Sequence, residues 1–176
     1  MKVPLQLHPD YLCPSVARIE AWVDRIPESG LVLGFKAYGD IAALRLPSAT
    51  EPQRLDDLWK HTCFEAFVRP QAQSGYREIN IAPSGDWASY GFSDYRAGMV
   101  KAGVDPPKVS VTQSAEMLEL KITITLDLPP TPAWHVGLSA VIEEANGNKS
   151  YWALRHAPGK ADFHLDDGFA LLLPGL

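Results

Sequence analysis

The sequence predicts an all-β fold, an antiparallel two-sheet sandwich of the jelly-roll or immunoglobulin-like kind with little helix. Three observations predict it. Polar and apolar residues alternate along several stretches, most clearly over 118–126, where Leu118, Leu120, Ile122, Ile124 and Leu126 share one face. Helical periodicity is nearly absent. The 15 prolines and 13 glycines sit mainly between the alternating stretches, where a series of short strands needs its turns.

The elements follow in chain order. Residues 16–26 suit a helix face through Val16, Ile19, Val23 and Ile26, and a strand face through Ala17, Ile19, Ala21 and Val23. A strand is expected, because its neighbours need a pairing partner. Residues 31–38 are apolar and close at Gly39-Asp40, a turn signal. Residues 63–69 are rich in aromatic and β-branched side chains. Residues 76–81 alternate, with Tyr76, Glu78 and Asn80 on one face and Arg77, Ile79 and Ile81 on the other. A turn at Pro83-Ser84-Gly85-Asp86 leads to a strand over 87–92, and the Pro106-Pro107 break leads to one over 109–113. In the strand over 118–126, Glu119 and Lys121 form the solvated face. Residues 135–143 end at Asn146-Gly147-Asn148, a tight hairpin signal, with 151–154 as the return strand. Residues 169–173 are a last apolar strand. No long linker and no repeat divides residues 1–176, so one domain is expected.

Composition narrows the function. With 46% hydrophobic and 21% charged residues, the chain has ordinary globular make-up. At this length it buries roughly two thirds of its unfolded surface, so folding needs neither disulfides nor metal. A net charge of −5 with scattered basic residues argues against nucleic acid as a partner. No apolar run approaches membrane-spanning length, and residues 1–9, broken by Pro4 and Pro9, show no secretory pattern. A cytoplasmic location is therefore expected, with Cys13 and Cys63 as free thiols.

A sugar ring offers apolar C–H faces and a rim of hydroxyls, which rigid aromatic faces and planar polar groups recognise. Trp59, Trp87, Tyr90, Tyr95 and Trp152 are the candidate faces. Glu65, Glu78, Asn80, Arg96 and His156 are the candidate rim groups. Glu65 is the most telling acid. Alternation places it with Cys63 and Phe67, and a carboxyl among apolar neighbours must be paired or sit beside a cavity. Two acids on one surface also raise a glycosidase reading, with Glu65 and Glu78 as its acid and its base or nucleophile. His61, Glu65, His156 and His164 offer four donors for a zinc ion. Their spacing matches no compact zinc motif, and Asp162, Asp166 and Asp167 lack the regular oxygen spacing of a calcium loop, so no metal or cofactor is assigned. No phosphate-binding glycine loop is present, and Met99 and Met117 have no histidine partner by position for haem ligation.

Three segments resemble a known family. The first runs Leu55-Asp56-Asp57-Leu58-Trp59-Lys60-His61-Thr62-Cys63-Phe64-Glu65-Ala66-Phe67. The second runs Tyr76-Arg77-Glu78-Ile79-Asn80-Ile81, then Trp87-Ala88-Ser89-Tyr90, with Tyr95-Arg96-Ala97-Gly98-Met99 close behind. The third is Tyr151-Trp152-Ala153-Leu154-Arg155-His156, followed by Ala161-Asp162-Phe163-His164. Together they resemble bacterial DOMON-like proteins related to family-nine carbohydrate-binding modules. The resemblance implies a β-sandwich with a ligand site on one side or at one end. In carbohydrate-binding members aromatic side chains clamp a sugar and polar residues bind its hydroxyls, whereas other DOMON relatives bind haem.

The expectation is a non-catalytic module for a small polar ligand, most plausibly a saccharide. Its site is expected at Trp59, His61, Glu65, Glu78, Asn80, Trp87, Arg96, Trp152, His156, Asp162 and His164. Trp59 stacks and the polar residues hydrogen-bond. The rival readings are a protein-interaction domain, which expects an exposed apolar patch without a pocket, and the glycosidase, which expects Glu65 and Glu78 in one cleft with a raised pKa.

Overall fold

A computed structural model describes residues 2–48, 51–129 and 131–175. Among the described residues there are twelve strands: β1 (Val3–Leu7), β2 (Val16–Ile26), β3 (Gly30–Gly39), β4 (Cys63–Pro70), β5 (Tyr76–Ile81), β6 (Trp87–Phe92), β7 (Val100–Lys101), β8 (Lys108–Gln113), β9 (Met117–Thr125), β10 (Ala133–Glu143), β11 (Lys149–Ala153) and β12 (Leu171–Pro174). Helix among the described residues is limited to three short 3-10 turns. None is long and apolar enough to cross a membrane. The ambiguous stretch at 16–26 is the strand β2, paired along its length with β3.

The strand pairs are antiparallel, in the order β7-β6-β5-β4-β10-β11-β1-β2-β3-β9-β8, with β12 beside the first half of β10. The strands expected in two sheets form one curled sheet, a half-barrel. The join is β1. Its residues Val3, Pro4 and Leu5 pair with Ala21, Glu20 and Ile19 of β2, and then Gln6 and Leu7 pair with Ala153 and Trp152 of β11. One short strand thus passes from one half to the other. Pro4 and Pro9 hide it in the sequence, since proline breaks the apolar run and removes a donor.

The halves face each other across the main core. Leu33 and Phe35 of β3 and Leu120 and Ile122 of β9 share a cluster with Phe64, Ile79, Val136 and Leu138. The Phe35 and Phe64 rings lie 5.1 Å apart. A second cluster covers the opposite face of β4, β5 and β6, through Phe67, Tyr76, Tyr90, Phe92 and Phe169. These strands are buried on both sides and read as nearly continuous apolar runs. By contrast β9 has one polar face, where Glu119 pairs with Lys36 at 4.0 Å and Lys121 at 3.6 Å. The hairpin at 146–148 closes with the Glu144 N–H donating to the Asn148 carbonyl at 2.9 Å. Gly147 takes φ +87° there, a conformation that favours glycine. Cys13 and Cys63 are buried free thiols.

Gly34 marks where β3 and its sheet neighbours β2 and β9 leave no room for an extra atom. A Cβ there would lie 2.6 Å from the Leu120 carbonyl oxygen and also against the Trp22 indole. Gly34→Ala is expected to lower stability by about 1–3 kcal/mol, as overpacking does. Urea denaturation reads this directly. A midpoint unmoved from wild type would show that β3 has room to shift against β9.

Candidate functional site

Successive residues of a strand point to opposite faces. In β4, Phe64, Ala66 and Val68 enter the main core, so Cys63, Glu65 and Phe67 face the other way. In β5, Ile79 and Ile81 enter the core, so Tyr76, Glu78 and Asn80 face with Glu65. Pairing then aligns Ala88, Asn80, Glu65, Ser139 and Ala153 side by side across β6, β5, β4, β10 and β11. Neighbouring strands lie about 4.8 Å apart, so these are adjacent side chains. The next rung carries Tyr90, Glu78 and Phe67.

A cavity of about 980 Å³ opens over this face. Glu65, Glu78, Tyr90, Val141 and Tyr151 line it from the strands. Connecting segments supply Tyr11, Trp59, Arg96, Met99, Asp162, Phe163 and His164. Trp59 stands on the 3-10 turn Leu58–Lys60 and is 50% exposed.

Burial decides the charge state of the floor. Glu65 is 3% exposed. Burial pushes its pKa well above the ordinary value, and the neighbouring Glu78 raises it further against a smaller opposing pull from Arg96. Both effects favour the protonated form of Glu65, which carries a proton it can donate. Glu78 is raised too, chiefly by burial, while the Asn80 amide donating to it at 2.7 Å and Arg96 work the other way. Buried polar atoms remain on this rung: Glu65 Oε1, Asn80 Oδ1 and Ser139 Oγ have no hydrogen-bond partner among the described residues. Such atoms are costly to bury, and three on one rung are unusual for a purely structural face.

The opposite wall is held by charge. Arg96 grips Asp162 with two hydrogen bonds, from Nη2 to Oδ1 at 2.8 Å and from Nε to Oδ2 at 3.3 Å. The Tyr95 hydroxyl donates to Asp162 Oδ2 at 2.6 Å, and the His164 N–H donates to Oδ1 at 3.0 Å. These donors hold the Asp162 pKa below its usual value against the opposing effect of burial. A carboxylate offers about four acceptor positions, and here all are taken. Among the described residues, three of the five Arg96 guanidinium N–H groups have no hydrogen-bond acceptor. Across the mouth, Tyr90 and Lys101 both donate to Asp56, at 2.8 and 2.7 Å.

Of the residues expected at the site, Trp59, Glu65, Glu78, Arg96, Asp162 and His164 come together on the cavity. Asn80 lies on the floor rung behind Glu78 and is fully buried. Trp87 and Trp152 belong to the main core, because strand alternation sends them to the other face. Trp152 donates to Ser150 and Trp87 lies under the Arg54 guanidinium. His61 lies on a separate, smaller cavity and is bonded to Glu143 at 2.6 Å. His156 bonds the Gln6 carbonyl at 2.8 Å and packs on His8. Sequence reasoning missed Tyr11, Tyr151 and Phe163. Alternation within 151–154 held the signal for Tyr151, since its neighbours Trp152 and Leu154 face the core. Among the described residues no three His, Cys, Asp or Glu side chains gather as a metal site requires.

Glu65 makes stability depend on pH. Its folded pKa lies above the ordinary 4.5, so the folded chain holds more protons than the unfolded one. Stability is then full below about pH 4.5 and falls as pH rises towards the folded pKa, by about 1.4 kcal/mol for each pH unit that separates the two values. Glu65→Gln is expected to match wild type near pH 4 and to exceed it in stability at pH 7. Chemical denaturation across that range checks it. Parallel curves for the two proteins would mean that Glu65 is ionised and solvated.

No family model matches the chain, and no curated protein matches it. Solved structures do. A candidate carbohydrate-binding protein from Bacteroides uniformis aligns over 99% of this chain and 85% of its own, at TM-score 0.66 and 13% identity. A family-nine carbohydrate-binding module from Caldicellulosiruptor kristjanssonii, solved in complex with glucose, aligns over 97% and 83%, at TM-score 0.54 and 9% identity. A family-nine module from the same organism in complex with cellotriose aligns over 88% and 74%, at 0.52 and 11%. Identities this low report fold and not activity. The chain has the fold of the family-nine carbohydrate-binding modules.

Proposed function

We propose that this protein is a non-catalytic module that binds a neutral saccharide, or a sugar-like molecule, in the cavity above Glu65. One observation carries the reading. Glu65, whose buried Oε1 has no partner among the described residues, lies on the floor of a cavity whose walls include Trp59, Tyr151 and Phe163, and the unpartnered Asn80 Oδ1 and Ser139 Oγ share its rung. Hydroxyls satisfy the floor and aromatic faces take the C–H surfaces. Neutral Glu65 donates, Glu78 accepts, and the free Arg96 donors read the rim. Two of the lining cations, Arg96 and Lys101, are already paired with Asp162 and Asp56, which favours an uncharged ligand. The fold neighbours solved with glucose and cellotriose support the same class.

Calorimetry against a panel of mono- and oligosaccharides, glucose and cellotriose included, tests this. Saturable binding is expected. Trp59→Ala is expected to weaken it tenfold or more, a loss of about 1.4 kcal/mol or greater, with little change in melting temperature because the indole is half exposed. Absence of binding at millimolar concentration to every sugar would sink the proposal.

A glycoside hydrolase is a second reading with its own support, since Glu65 and Glu78 line the same cavity and both pKa values are raised. The binding reading is preferred because hydrolysis needs one ionised carboxylate beside one acid, and both groups here are pushed towards the neutral form. Release of nitrophenol from 4-nitrophenyl glycosides, abolished by Glu65→Gln or Glu78→Gln, would reverse that preference. A protein-docking role fits less well, because the exposed Trp59 and Met99 stand at a cavity and not on a flat patch.

A further inference from the structure

Tyr76 does not line the cavity over Glu65 and is 2% exposed, yet its hydroxyl ties two segments that do. It accepts the backbone N–H of Arg96 at 3.2 Å and lies 2.7 Å from His164 Nδ1. A hydroxyl that accepts one bond still has its own proton to give and a second lone pair, so the direction of its other bond follows the histidine tautomer. With neutral His164 carrying its proton on Nε2, 3.7 Å from Glu78 Oε2, Tyr76 donates to Nδ1. Burial first, and then the charge of Arg96, lower the His164 pKa to about 4, which agrees with that state.

Arg96 needs the tie. It sits at φ +50°, in the left-handed region that a residue other than glycine adopts only when its surroundings hold it there. The turn around it is closed by Ser93 N–H to the Ala97 carbonyl at 3.0 Å and Ala97 N–H to the Asp94 carbonyl at 3.0 Å. Neither bond holds the Arg96 amide itself. The Tyr76 ring is fixed in turn, stacked on Phe92 at 4.8 Å and 10°. A smaller cavity of about 390 Å³ lies against the far side of Tyr76 and His164, so the two side chains form a partition with little behind it.

We propose that Tyr76 is a positioning residue, whose hydroxyl locks the Arg96 turn to the 162–164 segment and so aims the Arg96 guanidinium and the His164 ring at the ligand. The Asp162 brace holds the same two segments from the cavity side. Tyr76 holds them from behind. Without the hydroxyl, Arg96 keeps its partner Asp162 but loses its backbone anchor, and His164 Nδ1 is freed.

The inference rests on the saccharide reading for its binding arm and on the fold alone for its other arm. Tyr76→Phe keeps the ring and its stacking. In the ligand-free protein, the Arg96 amide is expected to be protected from hydrogen exchange in wild type and at least tenfold less so in Tyr76→Phe. The His164 titration midpoint, followed by NMR, is expected to rise by at least one pH unit from about 4. With ligand, affinity for the best sugar of the panel is expected to fall tenfold or more. The Arg96→Ala loss is then expected to be smaller on the Tyr76→Phe background than on wild type. Unchanged exchange and titration would overturn the lock. Altered exchange with unchanged sugar affinity would overturn the positioning role. If no sugar binds wild type, the saccharide reading and the aiming role fall together, while exchange and titration still decide the lock. An unprotected Arg96 amide in wild type overturns the lock without any variant.

Discussion

The pleat of β4 and β5 governs the rest of the molecule. Each strand sends one set of side chains into the main core and the other to the opposite face, and both faces are covered. Phe64 and Ala66 cannot enter the core unless Glu65 faces out of it, and Ile79 and Ile81 cannot enter unless Glu78 and Asn80 do the same. Two acids and an amide thus arrive on neighbouring strands with no freedom to leave. A one-residue slip would bury them among Phe35 and Leu33, where a carboxyl finds neither water nor a partner. The register that builds the hydrophobic core is the register that builds the polar floor.

The sequence made the strands legible where one face meets water. Over β9 the alternation is complete, and its bounds match the sequence reading within a residue. Over β5 alternation sorted Glu78 and Asn80 from Ile79 correctly. Legibility ended where chain chemistry masks the pleat. β1 is interrupted by proline, yet it joins the halves into one curled sheet, so the connection between them was invisible. The site was legible to the same degree. Trp59, Glu65 and Arg96 lie in segments whose polarity stands out. Trp87 and Trp152 attracted attention by size, but parity sends both to the core, and only the register of β6 and β11 settles that. Tyr11 and Phe163 come from connecting segments with no period to read.

Two carboxyls of the cavity show how environment divides labour. Asp162 and Glu65 are both largely shielded from solvent, and their pKa values move in opposite directions. Asp162 is surrounded by donors, so it stays charged and spends its acceptors on protein. Glu65 has no donor of its own among the described residues and a second acid beside it, so its protonated form is favoured and its bonding capacity stays unspent. A saturated group braces a wall, and an unsaturated group is available to a guest.

That division explains why the wall is built in two layers. Charged side chains aimed at an uncharged ligand must be held, or they fold back onto solvent and lose the geometry that recognition needs. Asp162 neutralises Arg96 and fixes its plane, but it holds only the guanidinium and leaves the Arg96 backbone to other contacts. A neutral hydroxyl behind the wall adds a restraint without adding a charge. Tyr76 supplies it from inside the second apolar cluster, where its ring is packed by Phe67, Phe92 and Phe169. The rigidity of that aromatic cluster is passed to the backbone of Arg96 and the ring of His164, so packing beside the cavity on the same face of the sheet becomes precision at its mouth.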